Sequence, residues 1–321
     1  MKMVDIPDIQ HRPVMERTVL EFLLHDTPAI YVDCTLGGGG HTRALLRAAK
    51  EGSVLLSVDR DLACVTAAQR WGAPWAAHFH PVHGNFRRLS TLLSALGYPR
   101  VDSILFDLGV SSYQLGTASR GFSFHLDGPL DMRMDTTQPL TAASLVNHAP
   151  LDELRHILQR FGEERWAARI ARALVVERAA APIMNTRRLA EVVANAIPRA
   201  AWPPDIHPAT RVFQGLRIAV NDELQALCEA LPQAVQALRP GGRLGVIAFH
   251  SLEDRQVKQF LLQEVRGCIC PPRWPQCMCG RQPRLKLLAR KPLRPTPQEI
   301  QENPRSRSAR LRVAEKLDVE E

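Results

Sequence analysis

Long apolar runs are missing from this 321-residue chain. No stretch approaches the roughly 20 residues that a helix needs to cross a bilayer, which excludes a helical membrane protein. Met1 to Gln10 lacks the positive head and apolar block of a secretory leader. A paired cysteine framework is missing too. Of the seven cysteines, Cys34, Cys64 and Cys228 stand alone, which excludes the disulfide-stapled secreted class. The expected location is therefore the cytoplasm, with no membrane partner. Acidic residues are scarce in one block. Between Arg281 and Arg312 ten Lys and Arg face only Glu299 and Glu302, a surplus equal to the chain's whole net charge of +8. Such a block fits a polyanionic partner, because each phosphate neutralised releases counterions and adds salt-dependent affinity. The plainer reading is a solvated tail. Leu285-Lys-Leu-Leu and Ala309-Arg-Leu-Arg-Val carry apolar residues as strands do, so the block is expected to fold.

What the chain does have is a 45% hydrophobic content, enough for one large domain and a smaller one. Its densest signal is Tyr31-Val-Asp-Cys-Thr-Leu-Gly-Gly-Gly-Gly-His41. Ala29 to Cys34 reads as a buried strand and Thr42 to Ala49 as a helix, so the glycines form a ligand-binding turn at a strand's carboxyl end. A dinucleotide fingerprint requires G-x-G-x-x-G, and its third glycine is absent: counted from Gly37 the position holds Thr42, and from Gly38 it holds Arg43. A nicotinamide oxidoreductase is thereby disfavoured. Val54 to Asp59 forms a second apolar strand, and Asp59 lies 19 residues past Gly40, where a carboxylate commonly accepts from a ribose diol. Asp33 precedes the glycines, where it would face a cationic group. S-adenosylmethionine (AdoMet) carries a ribose and sulfonium and ammonium cations, whereas NAD brings an anionic pyrophosphate, so Asp33 favours AdoMet.

The spacing predicts an opening helix from Pro13 to Leu24, a helix from Asp61 to Arg70, and strands over Ala76 to Val82, Ser103 to Asp107 and Gly242 to Phe249. Repeated strand, turn and helix units imply an α/β fold, a Rossmann-like doubly wound parallel sheet with ligands at the carboxyl edge. Leu151 to Arg178 reads as one helix, with Trp166, Ile170 and Leu174 on one face and Arg165, Arg169 and Arg172 on the next, the latter a solvated face or a substrate-facing one. From Phe213 to Leu231 spacings of three and four predict a second long helix. The expected organisation is a sheet domain in two parts, 1–114 and 206–321, around an inserted helical substrate-recognition subdomain at 115–205. Prolines 198, 203, 204 and 208 mark the return.

Asp107-Leu-Gly-Val-Ser-Ser-Tyr-Gln114 leaves the fourth strand beside the expected methyl donor. A carboxylate there can accept from an amine's N–H groups and pull a delocalised lone pair toward the methyl group, so Asp107 is the catalytic candidate, with cofactor binding as its alternative. His250-Ser-Leu-Glu-Asp-Arg255 follows the last parallel strand. No G-x-S-x-G elbow surrounds Ser251, which argues against a hydrolase triad. The segment reads as substrate contacts from His250, Ser251 and Arg255, or as a helix cap in which Ser251 pairs with Asp254. His78, His80 and His83 lack an acid or cysteine to complete a metal site. Cys268, Cys270, Cys277 and Cys279 form a C-x-C-x6-C-x-C cluster with Arg273, Arg281 and Arg284 around it. A structural zinc is the first reading there, with free thiols and redox chemistry as alternatives.

Seven strings together carry a resemblance: His11-Arg-Pro-Val-Met, Asp33 to Thr42, Asp107 to Ser112, Arg120-Gly-Phe-Ser-Phe124, Asp127 to Asp135, Phe249 to Arg255 and Asn303 to Ala309. Across nearly its whole length the chain resembles the bacterial 16S rRNA (cytosine-N4) methyltransferases, the RsmH/MraW family. The resemblance implies a class I AdoMet-dependent methyltransferase acting on the exocyclic amine of a decoding-centre cytosine in the small ribosomal subunit. It implies that Gly39, Gly40 and His41 hold the methionine and ribose portion of AdoMet, Asp59 the ribose hydroxyls and Phe86 the adenine, with Asp107 and Gln114 completing the site. Many class I enzymes carry a glycine where this chain has Thr35, and many amino-methylating enzymes carry D/N-P-P-Y where it has Asp107-Leu-Gly-Val. No Pro-Pro carbonyl accepts the amine hydrogen, and Tyr113, Phe122 or Phe124 would supply the stacking face. Phe124 is the substrate candidate among them. The rival functions are methylation of another RNA or of a protein, and non-catalytic RNA binding. A homodimer stays open.

Overall fold

The computed structural model describes residues 13–204, 206–271 and 274–318. His11, Arg12, Asp205 and Arg273, which enter the motifs and limits above, lie outside the described residues. The chain divides into two compact units, one of residues 1–109 and 225–321 and the other of residues 110–224. The limits 115 and 205 fall inside the second unit, which also takes in residues 110–114 and the chain from 206 to 224.

In the first unit the chain runs α1 (Glu16–Leu23), β1 (Ile30–Asp33), α2 (Gly40–Ala48), β2 (Val54–Asp59), α3 (Leu62–Trp71), β3 (Phe79–His83), α4 (Leu89–Ala95) and β4 (Val101–Asp107). Short polar or glycine-bearing links close each crossover. Asp61, for example, caps α3 by accepting from the Ala63 N–H at 3.1 Å. The second unit holds α5 (Ser112–Gly116), α6 (Ala142–His148), α7 (Leu151–Arg160), α8 (Ala167–Ala180), α9 (Thr186–Ala196) and α10 (Thr210–Asn221). The chain returns through α11 (Glu223–Ala237) to β5 (Leu238–Ala248), α12 (Ser251–Arg266), β6 (Leu285–Leu287), α13 (Pro297–Glu302) and β7 (Arg310–Lys316).

The seven strands lie in the order β3-β2-β1-β4-β5-β7-β6. β1 to β5 pair in parallel, while β7 runs antiparallel to both its neighbours. Val32, Leu56, Ile104, Phe106 and Val246 are buried, and a parallel sheet covered on both faces explains why its strands read as continuous apolar runs. The strand order reverses between β1 and β4, and the crevice at their carboxyl ends is the ligand position of such sheets.

Two long helices expected from periodicity are each broken. Leu151 to Arg178 is α7 and α8, separated at Gly162, where a Cβ would stand 2.6 Å from the carbonyl oxygens of both Arg211 and Leu158. Glu163 follows with φ 48°. The stretch from Phe213 to Leu231 is α10 and α11, interrupted at Asp222 with φ 50°. Apolar spacing survives a single left-handed residue, and aspartate tolerates that region. Arg165, Arg169 and Arg172 are exposed, while Ile170 and Leu174 enter the helical core. The third strand starts at Phe79, later than expected, because Ala73–Trp75 forms a 3-10 turn.

Candidate functional site

The site grows from β1 and the turn after it. Asp33, the last residue of β1, is buried, and its Oδ1 accepts from the Thr35 N–H at 3.0 Å and its Oδ2 from the Thr42 hydroxyl at 2.7 Å. Burial raises its pKa. Asp33 thus organises the turn through bonds to both its oxygens. The turn itself needs glycine at two places. Gly37 has φ 50°, and Gly39 has φ 79° with a Cβ position 2.4 Å from the Trp71 ring. Gly40 lies against Pro13, whereas the Cβ side of Gly38 is open. Arg43 stacks over Trp71 at 4.4 Å.

Asp59 ends β2 and ties it to this turn, its Oδ2 accepting from the Gly37 N–H at 2.7 Å and its Oδ1 from the Asp61 N–H at 2.8 Å. Burial pushes its carboxyl up to about 6, against the pull of those two N–H bonds. Asp107 ends β4, and its N–H donates to the Thr35 hydroxyl at 2.7 Å. Thr35 thus bridges β1, the turn and β4, which accounts for a hydroxyl where a glycine is common. Sequence reasoning noticed it only as a missing glycine, and it passed over Thr42, whose hydroxyl also meets that of Ser57 at 2.9 Å.

His41 is buried on the first turn of α2, with Nε2 3.5 Å from Asp107 Oδ2. Burial alone would lower its pKa, but hydrogen bonding and charge from Asp107, with Asp33 behind it, outweigh burial and raise it. At 3.5 Å the contact is an ion pair more than a hydrogen bond. Apart from that ion pair, the buried ring nitrogens of His41 and the buried Oδ1 of Asp107 meet no partner in good hydrogen-bond geometry among the described residues. Buried polar atoms are nearly always satisfied by protein or ordered water, so a group of three marks a polar site that water or a ligand completes. Asp33, Asp59 and Asp107 place three carboxylates along the strand ends, an edge that suits a cationic group and opposes a pyrophosphate. Phe86 follows β3 and packs edge-on to Phe106 at 5.5 Å, half-buried. The donor and acceptor chemistry fits AdoMet: buried polar atoms at the switch point, a carboxylate at the end of β2 and a half-buried aromatic ring after β3.

After β5, His250 caps α12, accepting from the Glu253 N–H at 3.4 Å, and Glu253 accepts back from the Phe249 and His250 N–H groups at 2.8 and 3.3 Å. The capping box therefore pairs His250 with Glu253, not Ser251 with Asp254. Asp254 instead binds Arg310 at 2.8 Å and Arg312 at 2.7 Å. Those cations outweigh burial and hold its carboxyl below the usual range. Ser251 is half-buried on the first turn of α12, and Arg255 is exposed.

In the second unit, Gln114 is buried in a capping box with Ser111 on α5. Two of the motifs form one knot. A Cβ on Gly121 would meet the Pro129 oxygen at 2.3 Å, and Gly128 would meet the Ala118 oxygen, so each loop passes close to the other's backbone. Buried Arg120 donates to the carbonyls of Arg133 and Met134, and Arg133 pairs with Asp131 at 2.8 Å. Tyr113 and Phe122 are buried. Phe124 keeps some exposed surface while packing on His207 at 4.7 Å and Phe213 at 5.0 Å. A cavity of about 370 Å³ opens nearby in the same unit, lined by Trp166, Trp202, Arg165, His207 and Arg211.

A doubly wound sheet ordered 3-2-1-4-5-7-6, with one antiparallel strand inserted near its edge and a glycine turn after β1, defines a class I AdoMet-dependent methyltransferase fold. The chain belongs to the MraW methylase family, whose profile matches residues 8–317. It is 51% identical over 307 residues to the ribosomal RNA small subunit methyltransferase H of Geobacter sulfurreducens, covering 96% of this chain and 99% of the relative. The protein of the same name from Thermomicrobium roseum is also 51% identical, over 96% of this chain and 94% of its own. A solved rRNA methylase from Streptococcus thermophilus aligns at 11% identity and TM-score 0.41, over 94% of each chain.

Proposed function

We propose that this protein methylates 16S rRNA of the small ribosomal subunit with AdoMet, at the exocyclic N4 amine of a decoding-centre cytosine. Methylation of small-subunit rRNA is supported by near-full-length kinship to proteins named for it. Cytosine N4 rests on the motif resemblance and on Asp107. The observation that carries the reading is the buried His41–Asp107 pair at the strand-order switch, whose remaining polar atoms meet no hydrogen-bond partner among the described residues. Its rivals are methylation of another RNA or of a protein, and RNA binding without catalysis.

AdoMet, when bound, supplies an electrophilic methyl group on a cationic sulfur. Gly39, Gly40 and His41 would hold its methionine and ribose portion, Asp59 its ribose hydroxyls and Phe86 its adenine, with Gln114 assigned by the family pattern alone. Asp107 would accept an N–H of the cytosine amine through its vacant Oδ1, which concentrates the nitrogen lone pair and orients it. His41, 3.5 Å from its other oxygen, would fix that carboxylate in direction. The target base must leave its stack, at a cost of a few kcal/mol. The helical unit, with the Phe124 face and the Trp166–Trp202 cavity, is the proposed RNA-recognition element, since each stacked base returns about 1–3 kcal/mol. His250 is a helix cap first, so any substrate contact from this segment falls to Ser251 or Arg255.

The test is transfer of label from methyl-labelled AdoMet to unmodified small subunits, followed by digestion to nucleosides. The label is expected in N4-methylcytidine. Label in another nucleoside or in protein would establish a rival. Asp107→Ala is expected to reduce transfer by at least about 100-fold while RNA binding persists; undiminished turnover would remove Asp107 from the mechanism.

A further inference from the structure

We propose that Cys268, Cys270, Cys277 and Cys279 form a closed four-thiolate site for one structural zinc ion. Their Sγ atoms all lie within 4.8 Å of one another. Cys268 and Cys277 are 3.5 Å apart, Cys277 and Cys279 3.6 Å, and Cys279 and Cys268 3.8 Å. A disulfide sulfur pair stands at about 2.05 Å, so these are separate thiols. Sulfurs at about 2.3 Å from a tetrahedral zinc stand about 3.8 Å from each other. The cluster already has close to that spacing. Among the described residues it is also the one place where three or more Cys, His, Asp or Glu ligand atoms converge.

The backbone is arranged as a metal knuckle requires. The N–H of Ile269, between the first two cysteines, donates to Cys279 Sγ at 3.4 Å. The N–H of Met278, between the last two, donates to Cys270 Sγ at 3.3 Å. Each C-x-C arm thus offers an amide to the other arm's second sulfur, a reciprocal contact that favours thiolates. The loop is pinched at its base. A Cβ at Gly267 would stand 2.4 Å from the Gln282 carbonyl carbon, and buried Glu264 binds Arg284 at 2.6 Å and Arg281 at 3.6 Å.

Among its described residues the loop has little core: Ile269, Trp274 and Met278 are 54%, 55% and 74% exposed. No helix or strand is described between Cys268 and Cys279. A lobe this small with little apolar interior needs another source of order, and zinc binding energy is folding energy in such lobes. Four thiolates leave no open coordination position, which makes the ion structural and not catalytic. Loading releases the thiol protons to solvent.

The full chain, purified untagged and reduced in metal-free buffer, should hold about one zinc per chain by elemental analysis. The ion should leave on mercurial titration and reload in the same ratio. Cobalt loading should give strong thiolate-to-metal absorption and the intense visible bands of tetrahedral coordination. Cys277→Ser with Cys279→Ser should lose the metal, and Cys228→Ser, on α11, should keep it. Should the double variant precipitate, the cobalt spectrum of the intact chain decides. The proposal is overturned by a chain that stays metal-free after incubation with zinc, by iron in its place, by zinc retained in the double variant, or by the weak spectrum of octahedral cobalt.

Discussion

Burial and hydrogen bonding pull Asp59 toward opposite protonation states. Its carboxyl is pushed from 3.8 to about 6 by burial, even though the Gly37 and Asp61 N–H groups favour the anion. Because the folded value lies above the unfolded one, this group's contribution to stability is complete below 3.8 and is lost as pH rises through about 6. A ribose diol reverses the balance, since its hydroxyls donate most strongly to the carboxylate. AdoMet affinity should therefore weaken on acidification, by up to about tenfold for each unit below 6. Below about pH 6 binding should also release a proton to the buffer, so its observed heat should change with the buffer's ionisation enthalpy. Calorimetric titrations at about pH 5 and about pH 7.5 test this, with Asp59→Asn expected to flatten the profile. A Kd that is constant across that range in the native chain would refute the role given to Asp59.

At the scale of elements, α10 secures a loop that could not hold its own shape. Met132 lies at φ 60°, an uncommon state for a side-chain-bearing residue. The buried Asn221 amide spans the gap, accepting from the Met134 N–H at 2.8 Å and donating to the Met132 carbonyl at 2.7 Å and to Arg217 within its helix at 2.9 Å. Asn221→Ala removes those bonds from a buried loop and is expected to cost about 1–3 kcal/mol. A lowered midpoint in urea, with an unchanged slope, is the outcome to look for. An unshifted midpoint would mean that the loop is held by Arg120 and Asp131 instead.

The same elements explain what could be foreseen. Val54–Asp59 was legible to the residue, because a strand buried on both faces writes its own apolar run between polar ends. The acids at the strand ends were equally visible. The breaks at Gly162 and Asp222 were not, because a helix's apolar spacing continues through one irregular residue while the cause, the approach of another backbone, lies elsewhere in the chain. Thr35 was misjudged for the same reason. Its hydroxyl matters through Asp107, 72 residues away, and nothing local announces that pairing.

For the molecule as a whole, the basic block divides into two populations. Arg281, Arg284, Lys286, Arg310 and Arg312 face Glu264, Glu315 or Asp254. Arg290, Lys291, Arg294, Arg305 and Arg307 are exposed. The first trio of these flanks Leu293, which exchanges two backbone hydrogen bonds with Leu311 at 2.8 and 3.0 Å, so the cations sit on anchored chain and not on a loose tail. Changing Arg290, Lys291 and Arg294 to Gln should weaken rRNA binding and flatten its logarithmic salt dependence by roughly 0.7–0.9 for each phosphate contact removed. AdoMet affinity should be untouched. An identical salt slope would assign the RNA contacts to another face.

Among the described residues β6 has one sheet neighbour, β7, which follows it in the chain. β5 likewise keeps an open edge until β7 slots in antiparallel beside it. The sheet therefore cannot be assembled in the order in which it is synthesised. Its parallel half can pair early, but β6 must wait on a segment translated after it, and only then do Arg310 and Arg312 arrive to neutralise Asp254. An unpaired edge is a template for association with other chains. Aggregation risk thus lasts until Arg310–Lys316 has been made, and a nascent chain stalled short of Arg310 is more exposed to it than one extended past Lys316.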